Sequence, residues 1–127
     1  MSSRKSIHIK GFTHLNPIPN ATRIGNILMS GVIVGFDPRT RNMPAALDKQ
    51  LANMFAHVKE IVETAGGTTD DIIKMTVWLK EPSKRDELNK VWVAMFPDEH
   101  ARPSRHTLPL IGDSNALAQC DVTAVFG

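Results

Sequence analysis

Leu47, Leu51, Met54, Phe55, Val58, Ile61, Val62 and Ala65 recur at intervals of three and four residues. Asp48, Lys49, Lys59, Glu60 and Glu63 fall between them. That spacing draws one apolar stripe down one side of a helix, and the stripe has to be buried against another element. Pro44 suits a first helical residue, with Asn42 or Met43 as the cap, so the helix is expected over residues 44–64. Gly66-Gly67 supplies its C-terminal stop. A shorter stripe of Leu88, Val91, Trp92 and Met95 ends at Pro97. Ser83, with Asp86 three residues on, resembles an approximate capping box for this second helix.

Everything else with a period alternates, which is the pattern of strands. Residues 6–10 set Ile7 and Ile9 against Ser6, His8 and Lys10, whereas residues 13–20 hold Pro17 and Pro19 and read as an extended loop. Residues 21–24 and 27–30, joined by Gly25-Asn26, read as a hairpin. Residues 31–36 continue in the same apolar, β-branched vein until Asp37-Pro38-Arg39-Thr40 turns the chain. Ile73, Met75, Val77 and Leu79 alternate with Lys74, Thr76, Trp78 and Lys80. A short strand follows Pro103, and residues 116–126 alternate to form the last one. The expected fold class is α+β, a single domain over residues 1–127 with a mixed sheet of about six strands and both helices on one face. The other face is then bare, and a chain of this size hides it by packing against copies of itself, which puts a site between subunits within reach.

Charge and cysteine usage exclude several function classes. A formal net charge of +2, with Lys and Arg scattered, makes no basic stripe for nucleic acid. The single cysteine, Cys120, rules out an intrachain disulfide and a multi-cysteine metal site, and suits a reducing compartment. No run of about 18 apolar residues exists to span a membrane. Met1-Ser2-Ser3-Arg4-Lys5 is basic but no apolar signal core follows, so the expected location is cytoplasmic.

Chemistry concentrates in Arg102-Pro103-Ser104-Arg105-His106-Thr107-Leu108-Pro109-Leu110. Pro103 sets its own backbone and pushes Arg102 toward an extended conformation, so the chain enters the strand at a defined angle. A guanidinium at such a place is a permanently charged fork for a carboxylate or phosphate. The plainer reading of either arginine is a solvated rim charge.

Taken in order, Pro17, Asn20-Ala21, Gly25-Asn26-Ile27-Leu28-Met29-Ser30-Gly31, Asp37-Pro38, Asn53, Asn89, Pro103-Ser104-Arg105, Leu108-Pro109 and the terminal strand resemble the RidA/YjgF family of enamine/imine deaminases. The resemblance spans essentially the whole chain. It implies a chorismate-mutase-like α+β subunit in a homotrimer, with a pocket at each subunit interface. It also implies hydrolysis of 2-aminoacrylate-type enamines and imines to 2-ketoacids and ammonia, with no cofactor and no metal.

By that resemblance Arg105 binds the substrate carboxylate and orients the adjacent imine carbon toward water, a positioning effect. Ser30 matches a small polar pocket residue, and Asn89 an asparagine near the pocket. Thr107 stands where many relatives have cysteine and contributes its backbone carbonyl. Two positions depart from the pattern. Ile18 replaces a common tyrosine, and Gln119 falls where a glutamate activates water. Glutamine orients a water but cannot take its proton. His14 or His106 is the alternative base, and Arg102 is either a contact for a second acidic group or, as we favour, rim. A non-catalytic binder or sensor of small carboxylates is the alternative function. Translation inhibition or RNA cleavage, attributed to some relatives, lacks a basic stripe or aromatic platform here.

Overall fold

In the computed structural model, residues 3–127 are described. Seven strands and two helices follow in the order β1 (Lys5–Ile7), β2 (Ala21–Ile24), β3 (Ile27–Ser30), β4 (Ile33–Val34), α1 (Leu47–Thr64), β5 (Ile72–Leu79), α2 (Arg85–Met95), β6 (Ser104–Pro109) and β7 (Ala118–Val125). They build one open, mixed sheet in the order β1-β2-β3-β7-β5-β6, with β4 also on β7. Among the described residues only the β5–β6 pair is parallel. A parallel pair needs a long crossover, and α2 is that crossover. The strand count is seven rather than about six, because β3 and β4 dock separately along β7.

Burial alternates strictly along β7, where Ala118, Cys120, Val122 and Ala124 are buried. Together with Met75, Val77 and Leu79 of β5 they face Leu51, Met54, Val58 and Ile61 of α1 and Leu88 and Trp92 of α2. Side chains of this kind contribute about 1.5–3 kcal/mol each when fully buried. Closure of α1 onto β4 depends on Gly35: a Cβ there would lie 2.0 Å from the Gln50 carbonyl oxygen. On the opposite face Ile24, Ile27, Met29 and Leu108 are exposed, as expected of a sheet covered on one side.

Local expectations fail where a side chain or a partner strand intervenes. Helix α1 begins at Leu47, not at Pro44, with Ala46 as its cap. The buried Gln50 amide donates to Pro44 O (2.6 Å) and Asn115 O (3.1 Å) and accepts from the Leu117 N–H (2.8 Å). That side chain ties the approach to the helix down as a non-helical segment. The C-terminal expectation holds: Gly66 (φ +99°) donates to Glu63 O and Gly67 to Val62 O, a Schellman ending. No capping box forms at Ser83, because a 3-10 turn over Pro82–Lys84 precedes α2 and Lys84 caps it without a side-chain bond. The capping box is instead at Thr68 and Asp71.

In β5 a bulge at Ile73 turns Ile72 inward and leaves Ile73 exposed, against the expected alternation. Strand β1 stops at Ile7, short of Lys10, because Asn20 takes over. Its buried amide accepts from the Ile9 N–H (2.9 Å) and donates to Phe12 O (3.1 Å).

Candidate functional site

Arg105 pairs in register with Met75 across the parallel β5–β6 ladder, so its side chain shares the helix-covered face. Helix α2 meets it there. Nη2 donates to Asn89 Oδ1 at 2.9 Å, and Cζ lies 4.9 Å from the centre of the Trp92 ring. Asn89 and Trp92 are three residues apart, so one helical face presents both to the guanidinium. Nη1 is buried without a hydrogen-bond partner. Among the described residues no carboxylate lies within ion-pair distance of Arg105. Burial, and then the Arg85 charge, push the Arg105 pKa down, though a guanidinium stays charged at any physiological pH. A cation with one buried N–H group unanswered is set up to receive an anion. Thr107, two residues along, shares this face opposite Val77.

The remaining candidates are elsewhere. Gln119 pairs with Trp78 of β5 and with Val34 of β4, on the bare face. Strand β5 separates its strand from Arg105's. Ile18 is half-exposed on the loop before β2. The Ser30 hydroxyl is engaged in the sheet, donating to Gly31 O (2.8 Å) and accepting from the Val122 N–H (2.9 Å), where it bridges the break between β3 and β4. Arg102 donates from Nε to Phe96 O (2.7 Å) and from Nη2 to Pro97 O (3.4 Å), so it answers carbonyls at the end of α2. His106 is exposed beside Thr76 in register, on the bare face. His14 packs edge-on against Phe12 (4.8 Å), with its Nε2 buried and unpartnered.

One chain therefore brings Arg105, Asn89 and Thr107 together and leaves Gln119 and Ile18 outside that group. Opposite faces of a sheet cannot converge on one small molecule within one subunit.

Sequence reasoning passed over three residues. Trp92 was read only as part of a buried stripe, though its spacing from Asn89 was the available signal. Asp121 lies two residues from Gln119 on the same face, by the period-two rule, and burial pushes its carboxyl pKa up. His57 is buried in α1, donates from Nε2 to Phe36 O (2.8 Å), and has its pKa pushed down by desolvation.

Comparison with known proteins gives a consistent picture. A family model described as Endoribonuclease L-PSP matches residues 12–110. A RutC family protein of Aquifex aeolicus (strain VF5) is 28% identical over 116 residues, covering 87% of this chain and 90% of the relative. The 2-iminobutanoate/2-iminopropanoate deaminase of Escherichia coli (strain K12) is 29% identical over 87 residues, 68% of each chain. Among solved structures, the YjgF gene product of E. coli superposes with a TM-score of 0.86 at 25% identity, covering 95% of this chain and 98% of that one.

Proposed function

This chain belongs to the RidA/YjgF family, described by its family model as Endoribonuclease L-PSP, and from that premise we propose that it hydrolyses 2-imino acids and their enamine tautomers to 2-ketoacids and ammonia. The observation that carries the reading is the unanswered, buried Nη1 of Arg105. A substrate carboxylate accepting from it removes the cost of an unsatisfied buried donor and gains a charge-assisted bond. Asn89 and Trp92 hold the guanidinium plane, so the carboxylate and the neighbouring C2 carbon arrive in a set orientation.

Water then adds to C2, and the C=N π pair becomes a lone pair on nitrogen, which takes up the proton released by the water. The carbinolamine nitrogen then takes up the hydroxyl proton, directly or through solvent, and ammonia departs with the C–N pair as the oxygen's electron pair closes the C2 carbonyl of the 2-ketoacid. Gln119 orients the water by hydrogen bonding and leaves its proton to solvent and the imine nitrogen. Because Gln119 and Arg105 occupy opposite faces of the sheet, the proposed site takes them from adjacent copies in a homotrimer whose contacts cover Ile24, Ile27 and Met29. No cofactor or metal enters this sequence of steps, and the proposed setting is the cytoplasm.

A second reading has one observation in its favour. Gln119 in place of a carboxylate suits a binder or sensor of small carboxylates, with the same Arg105 anchor and no turnover. Imine generated in situ by an amino-acid oxidase decides between them. Ketoacid and ammonia released faster than in buffer support the deaminase. No acceleration, with 2-ketoacid binding intact, supports the binder.

A further inference from the structure

Val34 is the register partner of Gln119 between β4 and β7, so the two side chains stand on the same face about 4.5–5.5 Å apart at their Cα atoms. Val34 is also a wall of a concavity of about 770 Å³, which Phe12, Ile18, Val32 and Phe36 line with it. The volume lies in the range of small-molecule sites. A methyl or ethyl group fills little of it. Val32 is 42% exposed and Ile18 48% exposed, so the groove holds apolar surface in contact with water that a ligand's carbon chain would cover. Ile18 also leaves the mouth without a phenolic hydroxyl. Thr13, His14, Asn16 and Arg41 are the polar part of the lining, with Arg41 its permanent cation.

We infer that the substrate's own side chain lies in this groove, and that the preferred substrates are 2-imino acids with branched or aromatic side chains rather than the one- and two-carbon side chains of the smallest imines. This rests on the deaminase reading for the placement of the reacting carbon beside Gln119; from there the β4 wall leads directly into the groove. A molecule anchored by its carboxylate and reacting at C2 has only one substituent left to direct, and the wall beside Gln119 that receives it is the apolar Val34.

Affinity for product-like 2-ketoacids tests the inference without requiring turnover. The panel is pyruvate, 2-oxobutanoate, 4-methyl-2-oxopentanoate, phenylpyruvate and, as a polar control aimed at Arg41, 2-oxoglutarate, measured by calorimetry on the intact chain. The branched and aromatic acids should bind at least about tenfold tighter than pyruvate, since a single methylene in an apolar pocket discriminates by roughly 10–200-fold. Val32→Trp, at an exposed position, should collapse the ratio between 4-methyl-2-oxopentanoate and pyruvate by occupying the groove. Equal affinities, preference for pyruvate or 2-oxoglutarate, or a ratio untouched by Val32→Trp would overturn the inference. Ranked binding with no imine hydrolysis would overturn the deaminase reading and sustain the groove as the subsite for the side chain of a bound 2-ketoacid. Binding of none of the acids would overturn both.

Discussion

Arg105→Ala is expected to separate ligand binding from stability. In the free protein the guanidinium donates once to Asn89, lies over Trp92, and leaves Nη1 buried and unpartnered. The stacking is worth about 0.5–1 kcal/mol at a partly exposed site, and the charged hydrogen bond to Asn89 about 1.5–3 kcal/mol. The unsatisfied donor costs about 1–3 kcal/mol. These largely cancel, so Arg105→Ala should lower folding stability by only about 1 kcal/mol. Binding has no such cancellation, because removing one partner of a sequestered charged pair costs about 2–5 kcal/mol. At 1.4 kcal/mol per decade that is roughly 30- to 4,000-fold in 2-ketoacid affinity, and imine turnover falls with it. Arg105→Lys keeps the charge and loses the planar fork, so it should recover only a small part.

Arg102→Ala is the internal control, with the same change in net charge and the opposite expectation. Its hydrogen bonds run to Phe96 O and Pro97 O. Losing them should lower stability by about 0.5–1.5 kcal/mol and leave affinity within about twofold. Chemical denaturation and calorimetry on the three variants provide both readouts. Equal losses of affinity at the two arginines would indicate diffuse electrostatics. Full affinity in Arg105→Ala would refute the assignment of the carboxylate anchor.

Gln119→Glu should raise imine hydrolysis at pH values above the new carboxylate's pKa, by up to about 10²–10⁴-fold if the proton acceptor is well placed; an unchanged rate in a folded protein would remove this position from the chemistry and leave Asp121, His14 and His106 to test. Light scattering at micromolar concentration should give the mass of three chains, and a stable monomer would sink the shared site. His57 has a folded-state pKa held below its ordinary value by burial. The unfolded chain therefore binds the proton first, so its contribution to stability is complete above about pH 6.5 and is lost as pH falls toward the folded-state pKa. His57→Gln should flatten that part of the stability profile measured by denaturation, and an identical slope would assign it to another group.

Arg105, a planar cation two residues after Pro103 at the mouth of a strand, stood out in the sequence as a candidate anion site. What it faces was not legible there. An arginine on a short edge strand carries no local signal of which sheet face it occupies, and only pairing with Met75 across β5–β6 directs it toward Asn89 and Trp92. The same holds for Gln119, whose alternation with Cys120 shows two faces while the sheet order decides that Arg105 lies on the other one. Ser30 shows the limit of motif reading, because its hydroxyl bridges a ladder break that exists only once β3 and β4 have both docked on β7.

Sequence alone determined what depends on near neighbours. The three-and-four spacing from Leu47 to Ala65 makes an amphipathic helix wherever it finds a surface, and Gly66-Gly67 ends it because a left-handed residue is needed there. Gly25-Asn26 turns the hairpin for the same local reason, with Gly25 at φ +56°. Tertiary structure decided what depends on distant partners. Gln50 displaces the start of α1 by bonding to Asn115 and Leu117, far along the chain. The bulge at Ile73 exchanges the facing of Ile72 and Ile73 at the start of β5, because β7 sets the register. Helical periodicity is satisfied within one or two turns of chain, whereas the face of a strand is set by neighbours dozens of residues away, and the candidate site is built from strand faces.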